Sequence, residues 1–446
     1  MNSFDRRAFL GTSFSTIATS CLLGQEKAEP VIPKHIEGPL FQPNTLFLTW
    51  QRDPTRTMTI QWIGSRGETS DTTIYYTPFK ENKSPKNEKS EVPQKPSPWK
   101  SQPSNTKPYP FTDLKIFRCE LTQLEPNTEY QFRIGKVSPT YRFKTMPAKA
   151  TDTIHFISGG DVSVNPHAIA NNIAAAQQDP MFTLIGGDLG YDNGTSVEIS
   201  LAFIRNYSKH MIGKNGRLIP LVTCIGNHEV DGGYHQPREK APFFYSLFDG
   251  LYPEKGYTTL EFGDYLSLVL LDTGHTTRVE GEQADWLDKT LKARVDHPNV
   301  MVVNHVPAYP AYLPTAPKFD NQLDGSGAPN RKHWVPLFEK HRVPIVLEHH
   351  DHCFKRSRPL IDGSSNANGV VYLGDGSWGR LRSAGEKVEI PHIAATSDEY
   401  HMTLHRLQGE ERFHLAINEH GKVMDFSRTA QRKKGVFRTT AEPGDK

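Results

Sequence analysis

The sequence predicts an all-β sandwich at the N-terminus followed by a larger α/β domain. The 446 residues exceed one ordinary core, so two domains are expected. Residues 44–147 carry short strand-type runs, whereas from Thr153 strands alternate with helical stretches. A net charge of +2 is not the broad basic excess typical of nucleic-acid binding.

Residues 1–28 are predicted to be a targeting signal that is not part of the fold. Residues 5–10 (DRRAFL) precede a weakly apolar run and resemble a twin-arginine export signal. This signal predicts a periplasmic or extracellular protein. Lipid attachment at Cys21 is the alternative, although residues 18–20 (ATS) match the usual preceding residues poorly. Residues 29–43 form a polar linker, and no later stretch is long and apolar enough to span a bilayer.

The predicted sandwich spans residues 44–147, with strands in "LFLTWQRD", "TMTIQWIG" and "TTIYYTP". A Lys/Pro/Ser/Asn-rich insertion at 80–110 is predicted to be a long surface loop or a mobile flap. Residues 121–133 (LTQLEPNTEYQFR) resemble the tyrosine corner of a fibronectin type III sandwich. In that motif a tyrosine hydroxyl bonds to the backbone a few residues upstream. The resemblance assigns this role to Tyr130.

The predicted α/β domain spans residues 151–427. Helical patterns occur at 166–178, 280–294 and 333–342. Residues 428–446 form a charged tail, which we expect to be frayed.

Five polar blocks each follow an apolar, strand-type run in this domain. They are Gly-Gly-Asp161, Gly-Gly-Asp188-Leu-Gly-Tyr191, Gly226-Asn227-His228-Glu229, Val-Asn-His305 and His350-Asp351-His352. Polar side chains at the ends of successive strands can converge on one pocket. Carboxylates, imidazoles, an amide and a phenol can together hold two cations, and two adjacent cations indicate phosphoester chemistry.

These blocks, in this order, resemble those of calcineurin-like metallophosphoesterases. The tyrosine of the second block and the preceding sandwich narrow the resemblance to the purple acid phosphatases, over residues 40–425. The resemblance implies a two-sheet core flanked by helices. It also implies a first ion, iron(III), and a second that is iron(II), zinc or manganese. The first would be held by Asp161, Asp188, Tyr191 and His352, and the second by Asp188, Asn227, His305 and His350.

The same resemblance implies roles in catalysis. A hydroxide held by the ions would attack phosphorus. His228 would contact a phosphate oxygen or protonate the leaving alkoxide, and Glu229 would orient His228 through a hydrogen bond.

The chain departs from the family pattern at two places. His349 stands where the family usually has glycine, which predicts an extra imidazole packed beside the ligands. The alternative is a shift of register that makes His349 and Asp351 the ligands. The substrate-facing histidines of plant-type members are also missing. Arg331 and His333 are therefore candidates for contacting the substrate anion, and a solvated helix start is the alternative.

The sequence thus predicts an exported phosphohydrolase with two metal ions that acts on phosphomonoesters of small molecules. A phosphodiesterase of the same superfamily is the first alternative. The second is an inactive surface-binding protein that uses its sandwich domain.

Overall fold

The computed structural model describes residues 41–65, 69–80, 98–150, 154–312, 325–384, 390–408 and 411–430. The predicted export signal, Cys21 and most of the predicted linker lie outside these residues. No helix in the described part is both long and apolar enough to cross a membrane.

Two four-stranded antiparallel sheets form the N-terminal part, with strand orders β1-β2-β6-β5 and β4-β3-β7-β8. The hydroxyl of Tyr130 accepts a hydrogen bond from the N–H of Glu125 at 2.9 Å, so the predicted tyrosine-corner bond is present. The strands are β1 (Phe47–Thr49), β2 (Met58–Gly64), β3 (Ile74–Pro78), β4 (Lys100–Gln102), β5 (Asn105–Pro108), β6 (Lys115–Leu121), β7 (Glu129–Ile134) and β8 (Tyr141–Lys144).

The predicted loop at 80–110 is wrong where β4 and β5 occur. Each is the edge strand of its sheet, and nearly all of its residues are exposed. Their lysine, serine and asparagine side chains give no apolar alternation, and the strands are held by backbone pairing with β3 and β6 and by an ion pair of Lys107 with Asp249.

The larger part contains a six-stranded and a seven-stranded sheet, of orders β11-β10-β9-β21-β22-β23 and β12-β13-β14-β15-β19-β16-β20. Its elements are β9 (Ile154–Gly159), α1 (Pro166–Gln177), β10 (Thr183–Ile185), α2 (Val197–His210), β11 (Leu221–Thr223), α3 (Pro242–Phe248), β12 (Thr258–Phe262), β13 (Leu266–Leu270), α4 (Glu282–Lys292), β14 (Val300–Val303), α5 (Ala328–His333), α6 (Val335–Lys340), β15 (Ile345–Glu348), β16 (Phe354–Ser357), β17 (Leu360–Ile361), β18 (Ser364–Ser365), β19 (Val371–Asp375), β20 (Ile393–Ser397), β21 (His401–Gln408), β22 (Glu411–Asn418) and β23 (Val423–Ala430).

The helices predicted around α1, α4 and α6 are confirmed. The tail predicted from residue 428 is wrong over its first three residues, which pair with β22 as the end of β23.

The carboxyl ends of neighbouring parallel strands lie at the same edge of each sheet. In the six-stranded sheet β9, β10 and β11 are parallel neighbours, and in the other sheet β13, β14, β15 and β19 are. Ligand-type residues follow β9, β10, β11, β14 and β15. The topology therefore brings loops from both sheets to one place.

The sandwich packs against the larger part within one compact unit, Pro39–Lys446. The indole of Trp50 makes edge-on contacts with Phe182 and Phe262, at ring-centroid distances of 6.0 and 5.8 Å. Arg118 of β6 also pairs with Asp249 at 2.6 Å. These apolar and ionic contacts hold the sandwich against the larger part of the chain.

Candidate metal centre

The first cluster contains Asp161, Asp188 and His352, whose ligand-type atoms all lie within 4.8 Å of one another. The phenol oxygen of Tyr191 lies 3.1 Å from Oδ1 of Asp161 and 2.9 Å from Nε2 of His352. The four residues that the resemblance assigns to the first ion are thus adjacent.

The second cluster shares Asp188 and adds His305 and His350, again within 4.8 Å. Oδ1 of Asn227 lies 3.1 Å from Nε2 of His305, and Nδ1 of His350 lies 3.2 Å from the same atom. The other ring nitrogen, Nδ1 of His305, donates to the carbonyl of Gly186 at 2.9 Å. In the neutral imidazole this bond places the proton on Nδ1, so that Nε2 would be the nitrogen available to a cation.

The burial of the carboxylates fits a cation site. Asp161 and Asp188 are fully buried, and ionised carboxylates are costly to bury without compensating charge. Oδ2 of Asp188 accepts no well-formed hydrogen bond from the described residues, and it lies 3.3 Å from Nε2 of His305. An oxygen of this kind, shared by both clusters, can bridge two cations.

The backbone at the site adopts an uncommon conformation. Left-handed φ angles cost free energy for residues with a side chain, so they persist where the surroundings impose them. Five of the predicted ligands have them: Asp161 (57°), Asp188 (55°), Tyr191 (69°), His350 (66°) and His352 (56°). The fold thus holds the ligands in tight turns directly after the strands.

The carboxylates and imidazoles of the clusters shift one another's pKa. Burial opposes ionisation of Asp188, but His305, His228 and His350 outweigh it and hold the pKa of Asp188 well below its usual range. Burial likewise disfavours charge on His305, but Asp188 and Asp161 raise its pKa to about 10. Burial lowers the pKa of His350 to about 4. The carboxylates therefore create a strong negative potential that favours cations.

The phenol of Tyr191 experiences the same field. Burial and the two aspartates raise the pKa of Tyr191 far above its ordinary value, and the positive charge of Arg380 opposes that rise in part. A cation beside the phenol oxygen would favour the tyrosinate form.

His228 lies at the open side of the clusters. Its side chain is 33% exposed, and its Nε2 lies 4.0 Å from Oδ2 of Asp188. Nδ1 donates to Oδ1 of Asn193 at 2.5 Å, which fixes the ring and directs Nε2 toward the clusters. Asn193 was not among the residues predicted from the sequence. The available signal was the turn-type Asn193-Gly194 pair two residues after Tyr191.

The role predicted for Glu229 requires a correction. Its buried carboxylate accepts backbone N–H groups of Gly226, Asp188 and Leu189 at 2.7–2.8 Å. Both oxygens are therefore used to join the second and third blocks, and the contact predicted with the His228 ring is made by Asn193 instead. Glu229 holds the ligand turns in place.

His349 packs beneath the candidate ligands, which is the first of the two arrangements predicted for it from the sequence. Its Nδ1 lies 2.7 Å from Oδ1 of the buried Asp375. Asp351 accepts the N–H of Ala311 at 2.6 Å. Since His350 and His352 supply the imidazoles of the two clusters, the shifted register is not supported.

Arg331 and His333, the two candidates for contacting the substrate anion, lie in different environments. Arg331 is buried, and its guanidinium donates to the backbone carbonyls of Ala308 and Ser326. His333 is half-buried in the last turn of α5. The arrangement does not support substrate contact by Arg331.

Comparisons with known proteins show which families this chain resembles. Residues 43–145 match the family described as the purple acid phosphatase N-terminal domain, and residues 154–354 match the calcineurin-like phosphoesterases. An uncharacterized protein of Mycobacterium tuberculosis is 26% identical over 56% of this chain and 52% of its own length. Purple acid phosphatase 18 of Arabidopsis thaliana is 25% identical over 62% of this chain and 61% of its own length. The chain thus spans between about half and three fifths of these relatives.

Two solved structures share the fold. A purple acid phosphatase from yellow lupin seeds superposes with a TM-score of 0.67 at 16% identity, covering 86% of this chain and 74% of that one. PhoD superposes with a TM-score of 0.62 at 14% identity, covering 91% and 94%.

Proposed function

The chain is a purple acid phosphatase-like member of the calcineurin-like phosphoesterases, and from this premise we propose that it hydrolyses phosphomonoesters at a centre of two metal ions. The observation that carries the proposal is the sharing of Asp188 by two buried ligand clusters. A carboxylate that belongs to both clusters would be shared by a pair of adjacent cations, as used in two-metal phosphoester hydrolysis.

The proposed ligands divide between the two ions. Asp161, Tyr191 and His352 would complete the first site with Asp188, and Asn227, His305 and His350 the second. The oxygen-rich first set suits iron(III), whereas the imidazoles and amide of the second suit iron(II), zinc or manganese. When bound, two such cations neutralise charge on the phosphoryl oxygens and supply a nucleophile at moderate pH.

His228 would act on the phosphate ester from the open side. Nδ1 is held by Asn193, so Nε2 can donate to a phosphoryl oxygen or give a proton to the leaving alkoxide. Glu229 would keep the Asp188 turn in register through its three backbone bonds.

Hydrolysis of matched aryl phosphate mono- and diesters tests the proposal, with metal content measured on the same samples. We expect turnover of the monoester by the wild type, its loss in Asp188→Asn and a strong reduction in His228→Ala. Asp113→Asn, an exposed carboxylate of the sandwich, is the matched control and should keep the wild-type rate.

Three outcomes would contradict the proposal. Wild-type rates in Asp188→Asn would remove Asp188 from the reaction. A faster rate on the diester would favour a phosphodiesterase. Full metal occupancy without turnover of either ester would favour a binding protein.

The proposed iron site has a spectroscopic test. A tyrosinate bound to iron(III) absorbs visible light by charge transfer. We expect a coloured iron-loaded wild type and a colourless Tyr191→Phe that retains its fold. Colour that persists in Tyr191→Phe would exclude this ligand.

We also propose export by the twin-arginine route and a small phosphorylated substrate outside the cytoplasm. Replacement of Arg6 and Arg7 by lysine should retain the protein in the cytoplasmic fraction, and unchanged export would contradict the proposed route.

A further inference from the structure

The segment that follows β19 is fixed to the candidate metal centre by its backbone. The N–H of Gly379 donates to the carbonyl of Asp161 at 3.0 Å, and the N–H of Arg382 donates to the carbonyl of His352 at 2.8 Å. The carbonyl of Gly379 also accepts a bond from the side chain of Asn165 at 2.6 Å. Arg380 therefore stands between two attachments to residues proposed as ligands of the same ion.

The side chain of Arg380 reaches the ring of Tyr191. Its guanidinium carbon lies 4.4 Å from the ring centroid, and the imidazole of His228 lies 4.1 Å from the same centroid. Arg380 and His228 therefore both border the ring of a residue proposed as a metal ligand, next to the place where a substrate anion would bind. Arg380 is exposed, and none of the described carboxylates forms an ion pair with it.

A guanidinium in this place favours a particular anion. Arginine binds phosphate through two parallel N–H···O bonds, and its charge is permanent. A phosphomonoester carries between about 1.5 and 2 negative charges near neutral pH, since its second pKa is about 6. A phosphodiester carries one charge and offers one fewer unsubstituted oxygen.

We propose that Arg380 is a specificity-determining residue that binds the phosphoryl oxygens of the substrate and favours phosphomonoesters over diesters. The inference rests on the proposed function, and it supplies a substrate contact that the five blocks do not contain.

Steady-state kinetics on the metal-loaded enzyme test the inference. We expect Arg380→Met to lower kcat/KM for an aryl phosphomonoester roughly 10- to 100-fold, mainly through KM, and to change kcat/KM for the matched diester less than about threefold. Arg56→Met removes the same charge from an exposed site in the sandwich and should change neither value. Arg380→Lys should recover part of the loss, because it restores the charge without the planar fork.

Binding of inorganic phosphate gives a readout that does not depend on turnover. Titration calorimetry should show at least tenfold weaker binding by Arg380→Met than by the wild type and by Arg56→Met. Equal fold losses on the two esters, or unchanged phosphate binding, would overturn the inference. An equal loss together with a shifted Tyr191 absorption would assign Arg380 to the phenol instead of the substrate. Activity of the wild type that vanishes in Asp188→Asn would still support the proposed function in those cases.

Discussion

Nδ1 of His349 lies 2.7 Å from Oδ1 of Asp375, in a fully buried pair beneath the two clusters. Burial opposes the charge of Asp375, but His349 and the hydroxyl of Ser158 outweigh it and lower the pKa of Asp375. Ser158 donates to the other oxygen of Asp375 and also lies 2.6 Å from Nε2 of His405. The pair thus joins β19 and the last ligand block to the centre of the six-stranded sheet.

The imidazole of His349 occupies the space above two glycines of the ligand turns. A Cβ at Gly186 would lie 1.7 Å from its Nε2, and a Cβ at Gly160 would lie 2.8 Å from its Cγ. The His349 ring therefore packs directly against the turns before Asp161 and Asp188 and supports them.

We expect Gly186→Ala to destabilise the protein by about 3 kcal/mol or more, because the new methyl group overlaps the His349 ring. Thermal unfolding of this variant, of His349→Ala and of the double variant measures the effect. The double variant should be no less stable than His349→Ala alone, since the clash has been removed. If the losses of stability in the two single variants simply add in the double variant, overlap with the His349 ring is not the cause of the destabilisation.

Asn193→Ala should lower kcat roughly 10- to 100-fold with little change in melting temperature. The substitution removes the acceptor that fixes His228, so the ring samples unproductive orientations. Asn193→Asp retains the acceptor oxygen and should keep much of the activity. Equal losses in the two variants would indicate that the hydrogen bond to His228 does not matter for turnover.

Glu229→Gln should lower stability by about 2–4 kcal/mol, because the amide replaces an oxygen that accepts backbone N–H groups with a donor. Denaturant unfolding measures this change. His228→Ala, the neighbouring substitution, should instead lose activity while its unfolding curve stays close to that of the wild type. Glu229→Gln that is as stable as the wild type but inactive would restore a direct catalytic role for Glu229.

Acid should destabilise the fold through buried histidines of the six-stranded sheet. Burial lowers the pKa of His401 and of His405 to about 4, against an ordinary value of 6.5. Between pH 6.5 and 4 the unfolded chain binds protons that the folded chain does not, so stability falls as pH decreases. Each histidine contributes a slope of about 1.4 kcal/mol per pH unit within this window.

Urea unfolding at several pH values measures that slope. His405→Gln should flatten the acid limb by about one such contribution, because glutamine does not bind a proton in this range. An identical pH profile for His405→Gln and the wild type would exclude this source of acid sensitivity.

The strands and helices with apolar patterns could be predicted from the sequence, and other elements could not. The helices around α1 and α4 carry periodic or alanine-rich patterns, β14 is a continuous apolar run, and β9 and β10 are mostly apolar. The edge strands β4 and β5 were missed because their stability comes from backbone pairing with neighbours that are distant in sequence. Such pairing cannot be predicted from the residues of the strand itself.

The sequence by itself predicted the candidate ligands, because each lies in a short block that follows a strand and its side-chain chemistry is local. Only the tertiary structure decided the partners of the other residues at the site. Asn193 holds His228 across 35 residues, Glu229 faces the backbone of another block, and Arg380 reaches Tyr191 from the loop after β19. These roles depend on where a side chain points once the two sheets have packed, and that direction is set by contacts between segments far apart in the chain.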